Sequence, residues 1–284
     1  MAKQKLNTQA IGLDIGLAFT KWVTGAENLH YGLWTDLEVT AGNLRTAQDR
    51  YTEKLFELLP TTPCRILDIG GGAGETAAKL LALGHEVEIV VPSDFLAERC
   101  RTNAPKARVH QMMFEDFEHS KPFDLCLFSE SFQYIPLKDG LPKCLTMLTP
   151  KGQIIVSDCF RTPAYKIQPK AATVGGGHRE TLFRDLLAEQ PLRITSEEDI
   201  TKAVAGSVEL EQALFNVFGY GIGRIDDELS AKRPKLRWTL NKVIRALISE
   251  RKRVKLDQRL NQQTRSAENF CMYNRYLMIR LDRV

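Results

Sequence analysis

Short apolar runs recur between residues 66 and 158, and polar segments with helical spacing separate them. Most of these runs are rich in Val, Ile, Leu and Phe, which is typical of strands buried on both faces of a sheet. The alternation of strands and helices predicts an α/β fold with a parallel, doubly wound sheet. The predicted strands are 66–69, 87–91, 108–112, 123–129 and 152–158, with further strands at 192–201 and 276–281.

Helical patterns precede this core. Residues 11–23, within the segment 1–28, form an amphipathic stretch that predicts a helix. This helix either closes over a site, touches a lipid surface or packs on the core of its own domain. A second helix is predicted at 43–59, and we therefore assign residues 1–60 as an N-terminal helical lid.

A helical insertion is predicted before the last strand. Apolar residues there recur at helical spacing and predict one long amphipathic helix: Leu236, Leu240, Val243, Leu247 and Val254. We assign 208–273 as a basic helical insertion that covers the substrate site. The cofactor-binding core is then expected at 61–207 and 274–284.

The first predicted strand leads into a glycine-rich turn with the sequence Asp68-Ile69-Gly70-Gly71-Gly72-Ala73-Gly74, followed by a helix. Glycines let the backbone turn tightly and approach a ligand, and the first N–H groups of a helix can bind polar groups. The dinucleotide fingerprint has a different glycine spacing and a carboxylate about 20 residues further on. Val91 stands at the end of the second strand instead, so an NAD-dependent oxidoreductase lacks its ribose partner here.

The segment 67–74 resembles the first motif of the class I S-adenosylmethionine-dependent methyltransferases. The preceding residues 29–34, Leu-His-Tyr-Gly-Leu-Trp, resemble the lipid-acting branch, which includes cyclopropane-fatty-acid, tocopherol and sterol methyltransferases. The resemblance extends from about 29 to 161. It implies a Rossmann-like methyltransferase fold, S-adenosylmethionine as cofactor, and an O-, N- or C-acceptor that is a small lipid-like or aromatic molecule.

In a doubly wound sheet, ligands bind at the carboxyl ends of the strands. Together with the resemblance, this rule predicts the cofactor-binding residues Asp68, Gly70, Gly71, Gly72, Gly74, Ser93, Asp94, Met113, Phe114 and Ser129. Two positions depart from the family pattern, because Val91 and Met113 stand where many members carry acids. Ser93 or Asp94 is then the candidate ribose partner, and Met113 and Phe114 are expected to pack on the adenine.

Methyl transfer requires alignment of the reactants and, for OH, NH or activated CH acceptors, removal of a proton. His178 is the first candidate base, because three glycines precede it and predict a mobile loop. Glu130 and Asp158, which follow predicted strands, are the next candidates. By resemblance, Tyr31 orients the substrate. A surface histidine without a role, a helix-capping Glu130 and a structural aromatic cluster around Tyr31 are the alternatives.

The charge of the chain is uneven. The net charge is +4, but residues 232–283 contain fifteen Lys and Arg against four acids, which gives +11 there and −7 elsewhere. This asymmetry indicates an anionic partner, either a membrane surface or an acidic carrier protein, or else a solvated helix face. An RNA methyltransferase would also explain it. However, residues 128–134 lack the N/D-P-P-Y/F turn with which amino-methyltransferases hold a flipped base, which argues against nucleic acid.

The cysteines and the N-terminal segment bear on the cellular compartment in which the protein is expected. Six scattered cysteines without a C-x-x-C pair indicate a reducing compartment and give no metal pattern. Because a signal peptide and a long apolar run are both missing, we expect a cytoplasmic protein, with or without peripheral membrane attachment. A non-catalytic methyltransferase-like scaffold is the remaining alternative, and Val91 and Met113 are its support.

Overall fold

The computed structural model describes residues 8–167, 174–261 and 265–284. Its centre is a single sheet built from the predicted apolar runs. Within those ranges the strands are β1 (Arg65–Ile69), β2 (Glu86–Val90), β3 (Arg108–His110), β4 (Phe123–Ser129), β5 (Leu148–Arg161), β6 (His178–Arg179), β7 (Leu192–Asp199) and β8 (Asn274–Arg283). The α/β prediction is therefore confirmed.

The strand order is β3-β2-β1-β4-β5-β8-β7, and β6 pairs with the end of β5. Neighbours from β3 to β5 run parallel, whereas β8 lies antiparallel between β5 and β7. The order of the strands reverses direction between β1 and β4, which is the switch point where doubly wound sheets bind ligands.

Helices cover both faces of the sheet. Ile66 packs into one apolar cluster and the next residue, Leu67, into the cluster on the opposite face, as the two-residue period of a strand requires. The helices are α1 (Thr8–Thr24), α2 (Leu44–Phe56), α3 (Glu75–Ala82), α4 (Asp94–Asn103), α5 (Leu137–Met147), α6 (Glu180–Ala188), α7 (Thr201–Lys232), α8 (Pro234–Leu247), α9 (Glu250–Asn261) and α10 (Ala267–Tyr273). In the part of the chain that is described, no helix is both long and apolar enough to span a bilayer.

The insertion before β8 differs from the single long helix that the spacing predicts. Its described residues are divided among α7, α8, α9 and α10, and α7 begins within the predicted core. Pro234 ends α7 because it lacks an N–H and restricts Arg233, which has φ −140° and ψ 56°. The second break is at Ile248, which is extended at φ −118° and ψ 118°.

The segment between α1 and α2 is fixed to the first turns of α7. Ser207 Oγ accepts hydrogen bonds from the Gly32 N–H and the Trp34 indole N–H, at 2.9 and 2.8 Å. The Trp34 N–H also donates to the Ala203 carbonyl at 2.8 Å. The lid, 1–60, and the cover over the substrate site, 208–273, stay predictions, but the first turns of α7 are part of the core.

Candidate active site

A cavity of about 740 Å³ opens at the carboxyl ends of β1, β2 and β4. It lies at the switch point of the sheet, where the topology predicts a ligand site. Gly74 is the one predicted cofactor-binding residue that does not line it. The other nine do: Asp68, Gly70, Gly71, Gly72, Ser93, Asp94, Met113, Phe114 and Ser129.

The glycine turn needs its glycines for two different reasons. Gly70 has φ +75°, and a Cβ there would overlap Ser131 Cβ, so any side chain would separate β1 from the turn after β4. Gly72 has φ +55° and faces open space. The turn therefore presents bare backbone to the cavity.

Gly74 has a packing role instead. Its φ is +88°, and a Cβ would lie 2.9 Å from Cys100 Cα on α4. The Cys100 thiol donates to the Gly72 carbonyl at 3.2 Å. Gly74 thus allows α4 to pack against the base of the turn, and its predicted role in cofactor binding stays a prediction.

Three carboxyl oxygens in the cavity wall are buried and have no hydrogen-bond partner among the described residues: Asp14 Oδ1, Asp68 Oδ2 and Glu115 Oε2. Asp68 is 1% exposed, and burial raises its pKa to about 7. Asp14 comes from α1 and was not among the predicted site residues. Orphaned acceptors of this kind fit a ligand that donates hydrogen bonds or carries positive charge.

The charged side chains that line the cavity are all acids: Asp14, Glu27, Asp68, Glu75, Asp94, Glu115 and Glu130. Burial lowers the pKa of His30, which also lines it, to about 4, so this imidazole is neutral at pH 7. The cavity therefore favours a cation over a phosphate group.

Glu27 and Glu75 are further wall residues that the sequence did not reveal. The Glu27 N–H donates to Glu75 Oε1 at 2.9 Å, which joins the segment after α1 to the start of α3. Burial acts to raise the pKa of Glu27, but hydrogen bonds from Arg99, Lys21 and Asn103 lower it to about 2. Glu27 is therefore ionised and paired, and it fixes the segment after α1 to α3 and α4.

Glu130 is the predicted catalytic residue that lies in the cavity wall. It follows β4 with a left-handed φ of +57°, which is unusual for glutamate and typical of a constrained functional site. Its Oε1 accepts the Tyr31 N–H at 2.6 Å and the Tyr276 hydroxyl at 2.8 Å, and no described residue bonds to Oε2. Burial, with a contribution from Asp158, raises the pKa of Glu130 to about 8.

Tyr31 and Asp158 are near Glu130 but do not line the cavity. The Tyr31 ring packs against Phe270 and Tyr276, while its N–H holds Glu130. Asp158 is fully buried and accepts the N–H and the side-chain amide of Gln133, both at 3.0 Å. Both residues position the turn that carries Glu130 rather than contact a ligand in this cavity.

His178 is not brought to the cavity. It lies on β6, where its Nε2 contacts the carbonyls of Phe132 and Ile135 at 3.0 and 2.8 Å and must therefore carry the proton. The preceding glycines permit close packing: a Cβ on Gly177 would overlap the Cys159 carbonyl. The prediction of a mobile loop that places an imidazole over the pocket is corrected for this reason.

A chain of buried hydroxyls supports Glu130, and no local sequence pattern indicates it. Tyr51 OH lies 2.6 Å from Ser157 Oγ and 2.8 Å from Tyr276 OH, which donates to Glu130. The groups come from α2, β5 and β8, so only the folded chain brings them together. Among the described residues, no group of three or more His, Cys, Asp or Glu is placed to hold a metal ion.

Known proteins resemble this chain in sequence and in fold. The family model described as a methyltransferase domain matches residues 66–152. An uncharacterised methyltransferase from Staphylococcus carnosus is 28% identical over 167 residues, which is 57% of this chain and 79% of that protein.

Two solved structures share the fold over nearly the whole chain. A cyclopropane synthase from Mycobacterium tuberculosis has a TM-score of 0.70 at 15% identity and covers 99% of this chain and 100% of its own. Geranyl diphosphate C-methyltransferase from Streptomyces coelicolor has a TM-score of 0.63 at 16% identity, and the match covers 94% of this chain and 92% of that protein. At these identities the two structures indicate a common fold, and this fold includes the α7–α10 region.

Proposed function

Because the chain is a class I S-adenosylmethionine-dependent methyltransferase, we propose that it methylates a neutral, lipid-like or aromatic small molecule. The acidic lining of the cavity is the observation that carries this proposal. A cationic cofactor is compatible with seven carboxyl groups, and an acceptor that enters the same cavity with a phosphate group is not.

The residues present fit the cofactor. Asp68 Oδ2 and Asp14 Oδ1 are buried acceptors without partners, and Gly72 offers bare backbone to a ligand. We propose that these three groups hold the amino-acid end, and that Ser93 or Asp94, after β2, binds the ribose. Met113 and Phe114, after β3, then pack on the adenine. The bound cofactor supplies an electrophilic methyl group on a positively charged sulfur.

Glu130 is the proposed general base. Its Oε1 is fixed by two hydrogen bonds, which leaves Oε2 to accept the proton that an OH, NH or activated CH acceptor loses as its bond to the methyl carbon forms. The raised pKa of about 8 suits a base that operates near neutral pH. Tyr31 acts through Glu130, as its N–H fixes the carboxylate.

The acceptor side of the cavity is apolar. Tyr134 and Ile135, which follow Glu130 closely in the chain, line it there. Tyr134 is 60% exposed, which is unusual for such a large side chain and provides an apolar surface at the mouth of the cavity. The printed name of one structural neighbour, a geranyl diphosphate C-methyltransferase, supports an acceptor with a hydrocarbon chain, and the acidic lining of this cavity disfavours the diphosphate group of that acceptor.

The test is methyl transfer from methyl-labelled S-adenosylmethionine to three pools: an extract of total lipids, a set of aromatic small molecules, and total RNA. We expect label in the lipid or aromatic pool, and the Glu130→Gln protein serves as the matched control. Label in RNA alone would replace this proposal with the nucleic-acid alternative. Titration with S-adenosylmethionine, S-adenosylhomocysteine and NAD in parallel should show binding of the first two and not of NAD.

A further inference from the structure

Helix α7 has two halves with different surroundings. Its first turns are buried in the core, with Val204 and Val208 fully inaccessible. Further along, Phe218, Ile222 and Ile225 recur on one face and are 55%, 56% and 62% exposed. At 1.5 Å per residue the helix is about 48 Å long, so its end extends well away from the sheet.

Helix α8 returns from that end with an apolar stripe of its own. Leu236, Leu240, Val243, Ile244 and Leu247 share one face at helical spacing, and all are 43–80% exposed. In the described helices α8 and α9, no residue is buried. A helix with one apolar face gains stability by covering that face, and the described chain covers only about half of most of these side chains.

The same region is strongly basic. Residues 232–261 contain two acids, Glu250 and Asp257, against eleven bases: Lys232, Arg233, Lys235, Arg237, Lys242, Arg245, Arg251, Lys252, Arg253, Lys255 and Arg259. Three of these cations pair with acids of α7: Lys232 with Glu228, Arg237 with Asp226 and Arg259 with Glu211. We call the apolar stripe of α8 together with the other eight cations the basic hairpin surface.

We propose that the basic hairpin surface docks on an anionic lipid bilayer. Exposed aliphatic side chains beside Lys and Arg match the acyl boundary and the headgroups of such a membrane. RNA would use the cations but not the aliphatic stripe, and a second copy would bring like charge against like charge. If the acceptor is lipid-like, as proposed above, the same membrane is its source. Docking itself is independent of that function.

The test uses the full chain with vesicles of phosphatidylcholine containing phosphatidylglycerol, and with vesicles of phosphatidylcholine alone. We expect co-sedimentation with the anionic vesicles that weakens as NaCl is raised. Because binding is measured without a methyl acceptor, it can succeed even if lipid methylation fails, and the reverse also holds.

Two sets of variants separate the contribution of the apolar stripe to vesicle binding from the contribution of the cations. Leu240→Gln with Ile244→Gln should weaken binding at every salt concentration, whereas Leu83→Gln with Leu182→Gln, exposed leucines elsewhere, should not. Neutralising Lys242, Arg245, Arg251 and Lys252 to Gln should lower the partition coefficient about 600-fold, at about fivefold per cation. The control neutralises four exposed cations elsewhere, Lys106, Lys138, Lys151 and Arg193, and should have little effect.

Several outcomes would overturn the proposal. Failure of the unmodified chain to bind anionic vesicles would do so, as would an equal loss in the control variants. Binding to RNA or to polyglutamate without vesicle binding would assign the cations to another partner. A dimer that dissociates in the Leu240→Gln, Ile244→Gln protein, again without vesicle binding, would assign the stripe to a second copy.

Discussion

The carboxyl edge of the sheet and the basic hairpin surface use charge and burial in opposite ways. At the cavity, carboxyl groups are buried, and burial raises the pKa values of Asp68 and Glu130 to about 7 and 8. On the hairpin, cations stand in solvent beside aliphatic side chains that are at least 43% exposed. Burial of carboxyl groups in the first region costs free energy of folding and leaves a preformed site for a cationic ligand. The second leaves apolar area uncovered, so its stability depends on a partner.

The sharpest test of the cavity is Glu130→Gln. Glutamine keeps an acceptor for the Tyr31 and Tyr276 donors but cannot take a proton, so turnover should fall about 100- to 10,000-fold. Cofactor affinity should be retained. His178→Gln is the comparison and should leave turnover nearly unchanged, because His178 lies outside the cavity wall. The reverse ranking in a methyl-transfer assay would restore His178 as the base.

Gly70→Ala tests the packing of the glycine turn. The positive φ and the overlap with Ser131 together should lower the free energy of unfolding by about 3–4 kcal/mol, and cofactor binding should be lost. Gly84→Ala is the matched control. Gly84 has φ +89°, but its nearest neighbour, Pro63 Cγ, is at 3.6 Å, so only the backbone term of about 1–2 kcal/mol applies. Urea unfolding and S-adenosylmethionine titration give both quantities, and equal losses would exclude the packing argument.

Asp68→Asn tests the cost of a buried acid. The pKa of Asp68 is higher in the folded chain, about 7, than the ordinary value of 3.8, so the folded state binds more protons between these values. Stability of the ligand-free protein should therefore fall as pH rises from about 4 to about 7, and the loss is complete above that range. At pH 8 the asparagine variant should be more stable than the unmodified chain by about 4 kcal/mol.

The difference between the two proteins should vanish near pH 4, because folded Asp68 is then protonated and as neutral as asparagine. Glu130 and Asp158 titrate in both proteins, so their contributions cancel. Thermal unfolding of the two ligand-free proteins between pH 4 and pH 8 measures this difference in stability. A difference that does not change with pH would show that ionisation of Asp68 is not its cause.

Tyr276→Phe should have a smaller effect on the same region. It removes the hydrogen bond that lowers the pKa of Glu130, so the pH at which kcat/KM reaches half its maximum should rise from about 8 by about one unit. The free energy of unfolding should fall by about 1 kcal/mol. Phe at this position keeps the ring packing, so a large loss of stability with an unchanged pH profile would mean that the hydroxyl chain is only structural.

Leu240→Ala should have the smallest effect. This side chain is 43% exposed, so its removal should change the free energy of unfolding by less than about 0.5 kcal/mol. The buried Leu80 is the contrast, and Leu80→Ala should cost about 2–5 kcal/mol. A large cost at Leu240 would show that the stripe is already covered in the protein alone.

Errors of the sequence-based predictions fall where local pattern and tertiary contact disagree. Three glycines before His178 have the composition of a mobile loop, yet they let the chain lie against β5. Periodic leucines predicted one long helix, but Pro234 and the extended Ile248 divide the region. Asp14 could not be recognised as a site residue, because nothing in an amphipathic helix marks the position that will meet a distant cavity.

The sequence by itself determined the strand pattern, the glycine turn with Asp68, and the position of Glu130 after β4, because strand period and turn chemistry are local properties. It also determined the charge asymmetry, because the positions of Lys, Arg, Asp and Glu are read directly from the chain. The tertiary structure decided which candidates meet. It brought Asp14, Asp68 and Glu130 to one cavity, placed Tyr276 beside Glu130 and left His178 outside. Those contacts join segments up to 146 residues apart, and no local pattern specifies contacts over such separations.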